Sequence, residues 1–440
     1  MYMPLPCLCW NQEQNVSQCE DRISELPSNL ISQILSSLPT KNAVATSVLS
    51  TRWKQFWTLV TSLDFDDMLL LQHRSSNKDA LQTSFIISPI YRVLDRVSGL
   101  DKVRLKCWQK YDVSHVKAWV VAIVKYHLKE LDLFIPVKCC TDYVVARDLF
   151  SCKTLVILKL GTEFMLDIPV SICLPSLKIL HLDRVKFSDD DSIKRLLLGC
   201  PVLDELNMNE CGGKDILRVI HISAPVLTKL RYCKEYGLET EVSECMTVID
   251  TPALLYLELI DHAAAEGYLV KNLPHIIKAD IGVQYDRTRS KSLIDLLMGI
   301  SKVQSLHLYN EIPEAVPKLD SELPTFHNLT SLVLGAGYVL RKWWLRFLEK
   351  SPCLESLVFK EGDWFDESNG YGWDEDVDKD GDEDNNKDNV PSCLLLNLKE
   401  IKFVDIELNA VDLRMVEYFL NNAEVLEKLT IEISESIGDG

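Results

Sequence analysis

Two places in this chain put metal-binding residue types at suggestive spacings. Asp376, Asp378, Asp380 and Asp382 fall at positions one, three, five and seven of an EF-hand calcium loop, with Gly381 at position six. The twelfth position, which needs a bidentate glutamate, is Lys387, and Glu383 stands where an apolar anchor belongs. No helix pair flanks the loop in the sequence pattern. The segment therefore reads as a solvated acidic insertion rather than a calcium site. Cys7 and Cys9 form a CxC pair, but no second ligand pair accompanies them, so no metal site is expected there. His181 and His307 each sit between paired leucines, a spacing that places them on the outward face of a strand as exposed polar residues open to a partner. There is no Gly-rich phosphate loop, GxSxG elbow or HExxH. The expectation is a non-enzyme with no catalytic residues, no cofactor and no metal.

With no catalytic constellation, the elements that build surfaces matter more. The 440 residues allow two or three domains, and an apolar fraction of 47% suits a globular protein. No apolar run approaches the roughly 20 residues of a membrane span. The start of the sequence, from Met1 to Cys7, lacks the pattern of a signal peptide. Fourteen cysteines without a CxxC read as reduced, mostly buried thiols. These features point to the cytoplasm or nucleus and away from a membrane. A net charge of −18 argues against nucleic acid as a partner, because phosphate binding needs a basic footprint. Thirteen acidic and two basic residues between Glu361 and Val390 account for most of that charge.

A pattern Leu-x-x-Leu-x-Leu, often preceded by Pro-x, recurs along most of the chain. It begins clearly at Leu128, Leu131 and Leu133 and continues to Leu354, Leu357 and Phe359, with 22 to 27 residues between copies. Leu100, Val103 and Leu105 form a weaker early copy. Leu398-Ile401-Phe403 and Leu426-Leu429-Ile431 close the series. This is the period of a leucine-rich repeat. The last Leu-x-Leu of each copy alternates as a strand does, so stacking predicts a parallel sheet on the concave side of a solenoid. The residues between the paired apolar positions then line that face: Arg104, Asp132, Lys159, His181, Asn207, Arg231, Glu258, Asp280, His307, Val333 and Val358. They form the candidate substrate face, partly basic at first, acidic in the middle and more apolar at the end. Residues 191–198 and 291–298 read as return helices ending at Gly199 and Gly299. The Asn or Cys of regular repeats is mostly replaced, with Cys211 in place but Val185, Gly337 and Ile406 elsewhere, so the solenoid is expected to be irregular.

Residues 21–57 carry too many apolar side chains for so short a segment to bury alone. Leu30, Ile31, Ile34, Leu35 and Leu38 follow helical spacing up to Pro39. Thr40 is placed to cap a second helix, with Ala43, Val44, Val48 and Leu49. Ser50 is placed to cap a third, with Trp53, Phe56 and Trp57. Part of this surface should meet a partner.

Asp21-Arg22-Ile23, Leu26-Pro27, Leu38-Pro39-Thr40-Lys41 and Val48-Leu49-Ser50-Thr51-Arg52-Trp53 match in order the pattern of a plant-type F-box, which the segment resembles. Val390-Pro391-Ser392-Cys393-Leu394, Leu398-Lys399, Tyr418 to Ala423 and Val425 to Ile431 resemble an FBD domain. Residues 116–133 resemble the opening of the repeat region in the same family, so the resemblance spans most of residues 20–435. It implies a substrate-recognition subunit of an SCF-type ubiquitin ligase. The F-box would bind a Skp-type adaptor and, through it, cullin and RING subunits, while the repeats would bind a target protein. The resemblance assigns the adaptor surface and its supporting core to Leu26, Pro27, Leu30, Ile31, Ile34, Leu35, Leu38, Pro39, Val48, Leu49 and Trp53. Two alternatives stay open: an interaction scaffold without ligase activity, and a small-molecule co-receptor acting through the solenoid. The expected fold is α/β: a three-helix F-box, an irregular leucine-rich-repeat solenoid and a closing FBD unit. The expected division is a mobile N-terminus over 1–19, the F-box over 20–66 and a connecting segment over 67–96. Repeats over 97–362, a mobile acidic insertion over 363–388 and the FBD domain over 389–435 complete it.

Overall fold

The computed structural model describes residues 26–68, 88–108, 111–136, 147–161, 165–213, 217–234, 245–262, 267–271, 273–283, 290–309, 323–335, 341–360, 390–406 and 410–433. The calcium-like loop, the acidic insertion, the CxC pair, Asp21-Arg22-Ile23 and Gly337 lie outside the described residues.

Strands are numbered along the chain. The repeats build one fourteen-stranded parallel sheet. Its first half runs β1 (Ser62–Asp66), β2 (Lys102–Lys106), β3 (Glu130–Phe134), β4 (Ile157–Gly161), β6 (Ile179–Asp183), β8 (Glu205–Asn209) and β11 (Lys229–Lys234). The second half runs β13 (Tyr256–Asp261), β15 (Lys278–Val283), β16 (Ser305–Leu308), β17 (Ser331–Gly335), β18 (Ser356–Lys360), β19 (Glu400–Ile406) and β20 (Lys428–Ile433). Each paired apolar position is inward and buried, as alternation requires, from Leu63 and Phe65 in β1 to Ile401 and Phe403 in β19. One continuous core results.

The return side differs from a uniform row of helices. Helices Val113–Val124, Ser192–Leu198, Ser290–Gly299 and Arg341–Glu349 appear there. Between them, β10 (Val219–Ser223), β12 (Met246–Asp250) and β14 (Gly267–Val270) make a second parallel sheet. Short strands β5 (Met165–Leu166), β7 (Lys186–Phe187) and β9 (Gly212–Gly213) make a third. The expected irregularity has a local cause. The Cys211 thiol donates to the Leu182 carbonyl at 3.4 Å, whereas Val185 and Ile406 fill equivalent sites with buried hydrocarbon that cannot hydrogen-bond.

Two expectations need correction at the N-terminal unit. Thr40 does not cap its helix. It is buried, and its Oγ1 accepts from the backbone N–H of Asp64 at 2.8 Å. The segment after Ser50 is a turn, in which the Ser50 hydroxyl accepts from the Trp53 N–H at 3.4 Å, followed by the 3-10 helix Phe56–Leu59; Trp53, Phe56 and Trp57 are all buried. Gly199 ends its helix in ordinary right-handed conformation, with φ −76°. At Gly299 the reason for glycine is proximity: a Cβ there would lie 2.6 Å from Val270 Cβ and 2.9 Å from the Val270 carbonyl oxygen.

Candidate functional site

The first candidate surface is the N-terminal helical unit. Helix Ser28–Ser36 turns Ile31 and Leu35 into the core and leaves Leu30 and Ile34 exposed. Two apolar faces on one short helix are what the doubled spacing of its aliphatic residues produces. Helix Thr40–Ala45 buries Ala43, and the turn after it exposes Val48 (85%) and Leu49 (65%). Pro27 is exposed, while Leu26 and Leu38 are half-buried against the core and Pro39 is half-buried. Trp53 is buried, its ring 6.1 Å from Phe56. Arg52 donates to the Leu26 carbonyl at 3.0 Å and ties the unit's first and last parts together. The sequence-selected residues thus divide into an exposed apolar ridge (Pro27, Leu30, Ile34, Val48, Leu49) and a buried support (Ile31, Leu35, Trp53).

The second candidate surface is the outward face of the large sheet. The sequence-selected face residues all stand in one transverse row. Arg104 pairs in register with Asp132, Asp132 with Lys159, Lys159 with His181 and His181 with Asn207. The row continues through Arg231, Glu258, Asp280, His307, Val333 and Val358. It also extends beyond the residues the sequence reading named: Asp64 precedes Arg104, and Lys402 and Thr430 follow Val358. Asp64 had a readable signal, since Ser62-Leu63-Asp64-Phe65 alternates like every later strand.

Most of these charges are neutralised by neighbours. Arg104 holds both carboxylate oxygens of Asp64 at 3.1 Å. His181 Nε2 lies 2.7 Å from Glu205 Oε1, so it is a partnered strand residue rather than a freely exposed one. Arg231 grips Glu258 with two nitrogens, Nε at 2.8 Å and Nη2 at 2.9 Å. This fork raises the guanidinium above its already high ordinary pKa. The Tyr256 hydroxyl stands 2.7 Å from Glu258 and 2.8 Å from Asp280. Burial first, then these two carboxylates, pushes the phenol well above its ordinary value and keeps it a neutral donor. Lys278 closes the cluster, 3.1 Å from Asp280. The His307 ring lies tilted against Tyr309, with centroids 4.2 Å apart. Asp280 is buried, not exposed as a mid-row position suggests, because these neighbours cover it.

Trp108, just past β2, carries no periodic signal and was not selected from the sequence. It is half-exposed, with Lys106 Nζ 4.8 Å above its ring and Phe134 at 5.3 Å. The buried Asp67 carboxylate fixes it by accepting from its backbone N–H at 2.8 Å. Among the described residues no group of three or more His, Cys, Asp or Glu is arranged to hold a metal. No helix among them is long and apolar enough to cross a membrane.

The fold defines a leucine-rich-repeat solenoid with an N-terminal helical unit. Comparison with known families makes the class specific. Residues 23–64 match the F-box domain, residues 116–280 match the repeats of FBD-associated F-box protein At5g56370, and residues 386–431 match the FBD. The chain is 31% identical to the Arabidopsis thaliana FBD-associated F-box protein At4g10400, covering 94% of this chain and 92% of that protein. It is 30% identical to the Arabidopsis thaliana F-box/FBD/LRR-repeat protein At4g26340, covering 92% and 91%. The chain belongs to the plant-type F-box/FBD/LRR-repeat family.

Proposed function

We propose that this chain is the substrate-recognition subunit of an SCF-type ubiquitin ligase. The observation that carries the proposal is the exposed ridge of Pro27, Leu30, Ile34, Val48 and Leu49 on the matched F-box segment. So many exposed aliphatics on so small a unit make sense as the docking surface for a Skp-type adaptor. Cullin and RING subunits would join through that adaptor. The receptor would contribute proximity, raising the target's effective concentration near the transfer machinery without chemistry of its own. The row from Arg104 to Val358 is the surface we assign to target capture, a mixed polar face suited to a folded protein or peptide.

Co-precipitation with a Skp-type adaptor tests the first half. Replacing Leu30 and Leu49 by Asp should abolish capture, because both side chains are exposed and each substitution buries a charge at the interface. Thermal stability should barely change. Retention of the adaptor at wild-type strength by a folded double variant sinks the assignment. For the target face, Lys159→Gln is a cleaner probe than charge reversal at Lys159 or Arg231, which would set a carboxylate beside Asp132 or Glu258. Lys159→Gln should weaken target capture and leave adaptor binding intact. A target indifferent to it and dependent on the return side would move the binding surface there.

A further inference from the structure

The two edges of the large sheet are treated differently. At the β1 edge the Thr40 hydroxyl satisfies the Asp64 N–H, and Trp57 and Val60 are buried beside the strand. At the other edge, no strand among the described residues lies beyond β20. Its inward positions, aligned with Ile401 and Phe403, are not sealed. Ile431 is 38% and Ile433 57% exposed, although their counterparts in β19 are buried. Helix Ala410–Asn422 buries Phe419 but leaves Leu413 and Leu420 exposed. An open edge with exposed aliphatics invites pairing with another strand.

The sequence of β20 identifies the strand that fits. Lys428 N donates to the Lys399 carbonyl at 3.0 Å, so Lys428, Thr430 and Glu432 direct their backbone groups toward β19. By alternation Leu429, Ile431 and Ile433 direct theirs to the open side. Antiparallel pairing of β20 with itself about Thr430 then sets Leu429 opposite Ile431, both in hydrogen-bonding phase. The same register sets Lys428 opposite Glu432 on the outward face, twice by symmetry. These charges also extend ladders already present, Lys428 with Glu400 at 2.6 Å and Glu432 with Lys402 at 2.8 Å.

We propose that the chain forms a twofold dimer through antiparallel β20–β20 pairing. The occupant of the open edge is a second copy of this chain. The interface is isologous, as a closed C2 contact must be. It lies at the opposite end of the sheet from the F-box, so it is independent of adaptor docking.

The test uses charge reversal at two exposed positions, with sedimentation velocity on the full chain. Wild type should show a concentration-dependent monomer–dimer equilibrium. Lys428→Glu alone faces Glu against Glu twice, and Glu432→Lys alone faces Lys against Lys twice. Each should weaken self-association about tenfold or more. Mixing the two single variants should restore dimers, because every facing pair is then opposite in sign. This arm also shows that both variants are folded. A wild type monomeric throughout, a dimer indifferent to both reversals, or a mixture that fails to associate would overturn the proposal.

Discussion

Thr40 stands where a helix cap is chemically reasonable, since its hydroxyl could accept from an N–H of its own helix. It caps the sheet instead. The Asp64 N–H at the β1 edge has no strand to bond to, and buried backbone donors are costly to leave unsatisfied. Thr40→Val keeps the shape and removes the acceptor. The expected cost is about 1–2 kcal/mol of stability, with faster hydrogen exchange at Asp64. Unchanged exchange there would show that another acceptor takes over. The same logic holds at Tyr256, where one phenol serves Glu258 and Asp280. Tyr256→Phe removes the donor shared by two neighbouring carboxylates. It should cost about 1–2 kcal/mol of stability in a denaturant melt, and a melt indistinguishable from wild type would show that the two carboxylates find another donor. Neither role was legible in sequence, because each depends on a contact between residues more than 20 positions apart.

At the level of elements, legibility followed periodicity. Every strand of the large sheet carrying Leu-x-Leu or a close variant was readable, as were helices Ser192–Leu198 and Ser290–Gly299. What escaped were elements without room for a period, or with a period in an unexpected place. Met165–Leu166 and Lys186–Phe187 are too short to alternate. Val219–Ser223 does alternate, but it falls between repeats, where the return path is usually helical. The site row was legible because one residue between two buried leucines has a single outward direction. The burial of Asp280 was not, since it arises from Tyr256 and Lys278 around it. Helix ends were located correctly for an incomplete reason. Gly299 admits the close approach of β14, so Gly299→Ala should push the helix off the Val270 carbonyl. A loss of about 1–3 kcal/mol is expected. A melting temperature equal to wild type would mean the helix shifts without penalty.

At the scale of the molecule, one continuous core gathers thiols from distant repeats into the same apolar interior. Burial pushes Cys200, Cys211 and Cys393 up to about 12 and Cys245 to about 11. Cys107 is raised further by burial and by the nearby Asp67 and Asp66 carboxylates. The buried phenols Tyr232 and Tyr268 are displaced in the same direction. In the unfolded chain thiols ionise near about 8.5 and phenols near about 10. Above about pH 8.5 the unfolded chain therefore binds fewer protons than the folded one, and stability must fall as pH rises. Below that value both states hold these protons and the contribution is fully present. Under reducing conditions, melting temperature should be insensitive to these groups from pH 7 to about 8.5, then decline steadily toward pH 11. Cys211→Ala should flatten the early part of that decline, whatever it does to absolute stability. Among the described thiols, exposed Cys173 and Cys353 should be alkylated in the native protein well before the buried ones. A melting temperature level through pH 10.5, or rapid native alkylation of Cys211, would show that the core admits hydroxide or opens locally on the timescale of the measurement.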